Sequence, residues 1–418
     1  MSTLIIHGGK KLKGEVKIAG MKNAATPILA ATLLAKEKCI ISNVPDIIDV
    51  RVMVDILKSL GSDIEFNNNV VTVNPGKLDL STLNEDLVKK LRSSILILGP
   101  LLAILGKVSI PEPGGCIIGK RPIDTHLFGF EKLGAKTEQK DKKIILTSNG
   151  LVGADIILPE FSVTATENLI MAACLAKGRT IIRLAAFEPH VEDLVLFLNK
   201  MGAKIKMELR NTIIIDGVKE LTGTEHKVIP DSIEVGTFAV AALATGSKIT
   251  LKGVEHNHLD AVYSLLEHIG ATLEKNDDSL TIYAKDGLKA FKLQALPFPG
   301  FPTDLQAPFG VLATQCEGIS LIHDPMYEGR LGHIRELEKM GAYAVICDLH
   351  RVAVSGITSL IGTTIKGLDL RAGATLVIAG LVASGKTIVQ GVENLDRGYE
   401  NFDERLKLLG ADIERVNE

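Results

Sequence analysis

The chain has 418 residues, 46% hydrophobic and 23% charged, an ordinary globular balance for two or three domains. A net charge of -3 and 4% aromatic residues give neither the basic footprint nor the stacking platforms of a nucleic-acid binder. The longest apolar run, residues 95–105, is broken by Gly99 and Pro100 and falls short of the ~20 residues of a membrane span.

Residues 1–14 carry no apolar signal-peptide core. Cys39, Cys116, Cys174, Cys316 and Cys347 are scattered, odd in number and without a CxxC pair. Reduced thiols in the cytoplasm are expected, not a disulfide framework or a zinc site.

In chain order, strand-like Leu4 to Ile18 comes first and is expected to close the sheet of a C-terminal domain. A helix opening near Lys22 then leads through Leu34-Ala35-Lys36 into a strand. A second helix ends at Gly61, with β-rich sequence after it. The pattern returns at Gly134, Gly202, Gly270, Gly341 and Gly410, at spacings of 73, 68, 68, 71 and 69 residues. Around the second glycine, Ile123, Leu127, Phe130 and Leu133 recur at helical spacing, with Pro122 expected in the first turn. The small-residue signature recurs as Leu175-Ala176-Lys177-Gly178, Leu243-Ala244-Thr245-Gly246 and Val382-Ala383-Ser384-Gly385. Fixed-period similarity of this kind marks a repeat architecture. A unit of about seventy residues, with two helices and several strands, buries too little surface alone. Six units divide most simply into two domains of three. The boundaries are placed at 21–229 for the first domain and 1–20 plus 230–418 for the second.

Residues that depart from the repeat are candidates for function. Arg121 and Arg397 each lie thirteen residues before their repeat glycine, ahead of a helix. Facing each other, they would hold an anion with several negative groups; two unrelated surface arginines are the alternative. The other helix of each unit opens near Lys22, Arg92, Glu167, Glu234, Asp304 or Arg371. Glu167 and Glu234 complement the helix dipole and are read as structural. Lys22, Arg92 and Arg371 oppose it, each at ~0.3–1 kcal/mol if exposed, which calls for a bound anion or a carboxylate partner.

Cys116 lies in the Gly-rich loop Pro113-Gly114-Gly115-Cys116, beside Lys120 and Arg121. Nearby cations lower a thiol pKa, so it reads as a nucleophile or general acid; a small buried hydrophobe is the alternative, expected for the other cysteines. Asp304, in the stiff Pro299-Gly300-Phe301-Pro302-Thr303-Asp304, is either a base held at a defined angle or a helix cap. Asp46, Asp49 and Asp55 read as a solvated helix start, and His323 and His333 as surface or loop residues. His126 and Asp124 are placed near Arg121. No Walker loop, dinucleotide fingerprint or HExxH is present.

Five ordered motifs resemble the UDP-N-acetylglucosamine 1-carboxyvinyltransferase family, the enolpyruvyl transferases of peptidoglycan synthesis. They are Gly20-Met21-Lys22-Asn23-Ala24-Ala25, residues 113–124, Phe301-Pro302-Thr303-Asp304-Leu305-Gln306, Asp369-Leu370-Arg371-Ala372-Gly373 and Asp396-Arg397-Gly398-Tyr399-Glu400. The resemblance implies an inside-out α/β barrel of two domains, each with three βαβαββ repeats, and an active site in the inter-domain cleft. It implies phosphoenolpyruvate and UDP-N-acetylglucosamine as small-molecule substrates, with no metal or organic cofactor.

By the same resemblance, Cys116 is the general acid, the site of a pyruvate adduct and of alkylation by fosfomycin-type epoxides. Asp304 is the base. Lys22, Arg121 and Arg397 hold the phosphate and carboxylate of phosphoenolpyruvate, with Arg92 and Arg371 nearby. Asn23 contacts the sugar or the intermediate. Arg121, Pro122, Ile123, Asp124, Thr125, Ser162, Val163, Thr164 and Met326 line the nucleotide-sugar pocket. Glu160, Thr164, Phe187, His190 and the stretch Tyr327 to His333 depart from the family pattern. An acid at Glu160 weakens diphosphate binding unless it points away. A shikimate-pathway transferase, a non-catalytic nucleotide-sugar-binding paralogue and a nucleic-acid end-processing enzyme are the competing readings. The loop cysteine speaks against the first, the retained polar set against the second and the net charge against the third.

Overall fold

The computed structural model describes residues 2–114, 122–367 and 369–417. Its contacts separate two units: one of residues 2–19 and 230–417, the other of 20–114 and 122–229.

Among the described residues, the unit of residues 20–229 contains three sheets. One orders Glu225–Lys227, Cys39–Ser42, Val70–Asn74 and Asp63–Asn67; another orders Lys204–Glu208, Thr212–Asp216, Arg179–Arg183 and Asp155–Ile157. In both, one parallel strand flanks an antiparallel trio. The third has only the trio Lys107–Pro111, Lys143–Thr147 and Lys136–Lys140 among the described residues. Its inner helices are α1 (Lys22–Ala31), α2 (Leu98–Leu105) and α3 (Val163–Ala173). α2 packs on α3, and the 3-10 segment Arg92–Ile97 contacts both α1 and α3.

The other unit repeats the plan with α4 (Ser232–Ala244), α5 (Gln306–Thr314) and α6 (Leu370–Val382), which pack on one another. All of α5, and nearly all of α4 and α6, is buried. A helix apolar on every face belongs inside, and these are rich in Ala, Val and Leu. The strands outside alternate instead, as in Lys386–Gln390, where Thr387 and Val389 point inward. Each unit is therefore built with helices inside and sheets outside, three βαβαββ repeats at a time.

The repeat glycines have one conformational reason. Gly61, Gly134, Gly202, Gly270, Gly341 and Gly410 all have φ between +89° and +109°, at the end of an outer helix and before an edge strand. A side chain there is strained, so glycine recurs.

The expected single strand Leu4 to Ile18 is two strands in two sheets. Ser2–His7 fits between Lys386–Gln390 and Asp412–Asn417, whereas Lys13–Lys17 runs parallel to Lys248–Lys252. The break is at Gly8 and Gly9. A Cβ on Gly8 would lie 2.2 Å from the Ala383 carbonyl oxygen, and Gly9 has φ +83°. Among the described residues no helix is long and apolar enough to cross a membrane.

Candidate active site

In the unit of residues 230–417, Asp304 sits in the short 3-10 segment Thr303–Leu305, which follows Pro302. Its carboxylate does not cap that segment. Oδ1 accepts from Arg330 Nη2 at 2.8 Å, and Oδ2 from Arg371 Nε and Nη2 at 3.1 and 2.9 Å. A carboxylate has about four acceptor positions, so at least three are engaged and its orientation is fixed. Arg371 is the second residue of α6, where Asp369 caps the backbone N–H groups of Arg371 and Ala372 at 2.8 and 3.0 Å. The cation that opposes the dipole there has a carboxylate partner, Asp304. Burial works against the charge of Arg371, but Tyr399, Asp304 and Asp231 outweigh it and raise its pKa.

Asp231 caps α4, accepting from Ile233 and Glu234 N–H at 2.9 and 3.3 Å. Burial pushes its pKa up to about 6, with Arg371 opposing and Glu234 reinforcing. Glu234 receives the Ala19 N–H at 2.7 Å and pairs with Arg405, the structural role expected of it. Thr303 Oγ1 donates to Asp324 Oδ2 at 2.6 Å, and Asp324 Oδ1 takes the Met326 N–H at 2.9 Å. Met326 is thus tied to the Asp304 loop. Arg397, half-buried, ends the 3-10 segment Val392–Arg397.

His333 is corrected from surface to core: it is 1% exposed, in the helix Gly332–Lys339. Its Nδ1 lies 3.1 Å from the Arg330 carbonyl, which also accepts Gln306 Nε2 at 3.0 Å. A carbonyl only accepts, so Nδ1 carries the proton. Burial lowers the His333 pKa to about 4, and the ring is neutral.

In the unit of residues 20–229, Lys22 and Asn23 open α1, both half-buried. Lys22 Nζ lies 3.3 Å from Asp49 Oδ2. Asp49 is 5% exposed, which corrects the expected solvated helix start. Arg92 Nη1 donates to the Pro113 carbonyl at 3.4 Å. Cys116 and Arg121 lie outside the described residues.

The helix expected around Pro122 begins at Asp124 and runs to Lys132, so Pro122 precedes its first turn. Pro122 and Asp124 are exposed and Ile123 is buried. Thr125 Oγ1 donates to Glu160 Oε1 at 2.9 Å. Ser162 caps α3 at Ala165 N–H, 3.4 Å away, and Val163 and Thr164 form its first turn. His126 lies between Thr164 Oγ1 and Asn168 Nδ2, each at 3.1 Å. Asn168 also donates to the Ile95 carbonyl at 2.9 Å and accepts Gly99 N–H at 2.8 Å. Its amide protons go to Ile95 and His126 Nδ1, so His126 Nε2 carries the hydrogen toward Thr164.

Glu167 Oε1 is buried with no hydrogen-bond partner, and burial beside Glu188 raises its pKa well above the usual carboxylate range. Burial thus works against the anionic form expected to complement the helix dipole. Cys174 and Cys316 are buried thiols pushed up to about 12 by burial; Cys347 is exposed, not buried as expected. Arg330, His333, Gln306 and Asn168 were not legible as site residues. The one sequence signal for Asn168 is a polar side chain inside an apolar helix.

The family model described as EPSP synthase (3-phosphoshikimate 1-carboxyvinyltransferase) matches residues 6–406. A protein of Carboxydothermus hydrogenoformans named UDP-N-acetylglucosamine 1-carboxyvinyltransferase 1 is 45% identical over 100% of this chain and 99% of its own. A protein of Idiomarina loihiensis named UDP-N-acetylglucosamine 1-carboxyvinyltransferase is 46% identical over the whole of both chains. Among solved structures, the enolpyruvyl transferase NikO from Streptomyces tendae superposes with a TM-score of 0.91 at 26% identity, covering 100% of this chain and 99% of that one. The EPSP synthase of Acinetobacter baumannii, at 20% identity and TM-score 0.77 over both whole chains, shares the fold.

Proposed function

Because this chain belongs to the EPSP synthase family of enolpyruvyl transferases, we propose that it moves the enolpyruvyl group of phosphoenolpyruvate to the 3-hydroxyl of UDP-N-acetylglucosamine, in peptidoglycan synthesis. The observation that carries the reading is full-length similarity, at 42 to 46% identity, to relatives that share this one name.

The chemistry assigns a task to each charged group. Phosphoenolpyruvate is a compact polyanion, so Lys22, Arg121 and Arg397 hold its phosphate and carboxylate, with Arg92 and Arg371 adding positive field. Cys116 gives its thiol proton to the methylene carbon, and the central carbon becomes electrophilic. Asp304 takes the proton of the sugar hydroxyl as the new C–O bond forms. Its engagement by Arg330 and Arg371 holds the carboxylate at a defined orientation for that step. Elimination then returns a proton from the former methylene carbon to the Cys116 thiolate, breaks the C–O bond to phosphate and leaves the carbon–carbon double bond of an enol ether.

Asn23 contacts the sugar. Pro122 to Thr125, Ser162 to Thr164 and Met326 line the nucleotide-sugar site. Glu160 accepts a hydrogen bond from Thr125, which engages one of its carboxylate oxygens beside that site. The substrates are small molecules, and neither nucleic acid nor membrane takes part. The enzyme works in the cytoplasm.

Mass spectrometry of the nucleotide sugar after incubation with phosphoenolpyruvate tests the reading. A product heavier by one enolpyruvyl group supports it. An unmodified nucleotide sugar, with shikimate 3-phosphate modified instead, would replace the acceptor.

A further inference from the structure

We propose that Tyr399 is a positioning residue for this reaction: its hydroxyl anchors the ring to Thr237, and the ring fixes the Arg371 guanidinium, and through it the Asp304 carboxylate. The inference rests on the reading of Asp304 as the base.

Tyr399 is 2% exposed, in a cluster with Phe402, whose ring centroid is 5.0 Å away, and Phe238, which is 5.3 Å from Phe402. An apolar cluster would be served by phenylalanine at 399 as well; a buried hydroxyl adds desolvation and needs a partner. That partner is Thr237 Oγ1, at 2.9 Å. Thr237 has one hydroxyl proton, and the Ile233 carbonyl 2.8 Å away accepts it. Tyr399 is therefore the donor to Thr237, and that bond fixes its ring beside a cation.

The cation is Arg371. Its guanidinium carbon stands 5.1 Å from the Tyr399 ring centroid, while Nε and Nη2 point to Asp304 Oδ2. One planar group is thus held between an aromatic face and a carboxylate, which sets its plane and its reach.

The backbone supports the same coupling. A Cβ on Gly398 would lie 2.3 Å from Leu370 Cδ1, so the turn carrying Arg397 and Tyr399 sits directly on the start of α6. Tyr399 thereby ties the Arg397 turn to the Arg371–Asp304 pair. Other charges around Arg371 and Asp304 come from Arg330, from Asp231 and Glu234 at the start of α4, and from Asp369 at the start of α6. None of these changes when Tyr399 does.

The test compares wild type with Tyr399→Phe, Thr237→Val, Arg371→Lys and Tyr399→Phe/Arg371→Lys. Turnover is followed by phosphate release from phosphoenolpyruvate with UDP-N-acetylglucosamine, and Asp304 protonation by 13C-carboxyl NMR assigned with Asp304→Asn. Loosening Arg371 weakens the hold on the Asp304 charge, so protonation should occur at higher pH. Tyr399→Phe and Thr237→Val should each lower kcat about tenfold, with KM for phosphoenolpyruvate within about twofold of wild type. Both should move the acid limb of kcat/KM and the Asp304 titration upward, and the double variant should add little to Arg371→Lys alone. A folded Tyr399→Phe with the wild-type acid limb and titration overturns this inference alone. A wild type without turnover overturns the functional reading and this inference together.

Discussion

Lys22 Nζ lies 3.3 Å from Asp49 Oδ2, and each residue stands in the first turn of a different helix. The carboxylate suits its helix dipole, whereas the ammonium opposes its own and depends on Asp49. The two side chains are 20% and 7% exposed, between the surface and buried limits for an ion pair. Asp49→Asn should therefore destabilise the fold by about 1–3 kcal/mol, read from the urea midpoint at constant slope. An unchanged midpoint would mean that another group already neutralises Lys22.

Gly202 has φ +101°, and a Cβ added to it would meet nothing within 4 Å. Gly202→Ala isolates backbone strain from any clash. A loss of about 1–2 kcal/mol is expected, with activity retained. A neutral substitution would remove the conformational explanation for the repeat glycines.

Two buried groups give stability opposite pH dependences. The folded His333 pKa, about 4, is depressed from 6.5, so its contribution is present above 6.5 and lost as pH falls through 4. Asp231 is raised from 3.8 to about 6, so its contribution is present below 3.8 and lost as pH rises through 6. Each shift corresponds to about 3 kcal/mol. Denaturant titrations between pH 4 and 7 should show the difference between wild type and His333→Gln shrinking at low pH. The difference for Asp231→Asn should shrink at high pH. Parallel curves would contradict both assignments.

Asn168 joins α3 to Gly99 N–H, the Ile95 carbonyl and His126. Asn168→Ala takes away the acceptor of Gly99 N–H and the donors to the Ile95 carbonyl and His126 Nδ1, and should cost roughly 2–4 kcal/mol. Since His126 and Thr164 flank the residues assigned to the nucleotide sugar, KM for UDP-N-acetylglucosamine should rise more than kcat falls. Equal effects on both would detach this network from the acceptor site.

The repeat was legible because one constraint, left-handed backbone after each outer helix, admits glycine and little else. The two-strand nature of residues 2–17 was not, because Gly8 is dictated by contact with Ala383, 375 residues away. Lys22, Asp304 and Arg371 stood out as charges at helix starts. Their partners did not. Asp49 and Arg330 look like ordinary surface residues until tertiary packing draws them in. Glu167 misled for the same reason: helix position suggested an anion, and burial beside Glu188 raises its pKa well above the usual carboxylate range.

The most direct test of the central claim is phosphate release from phosphoenolpyruvate. It is measured with UDP-N-acetylglucosamine, with shikimate 3-phosphate and without acceptor, for wild type, Cys116→Ala and Asp304→Asn. Release should require the nucleotide sugar and collapse in both variants. Folded wild-type protein that releases no phosphate with any acceptor would contradict that claim.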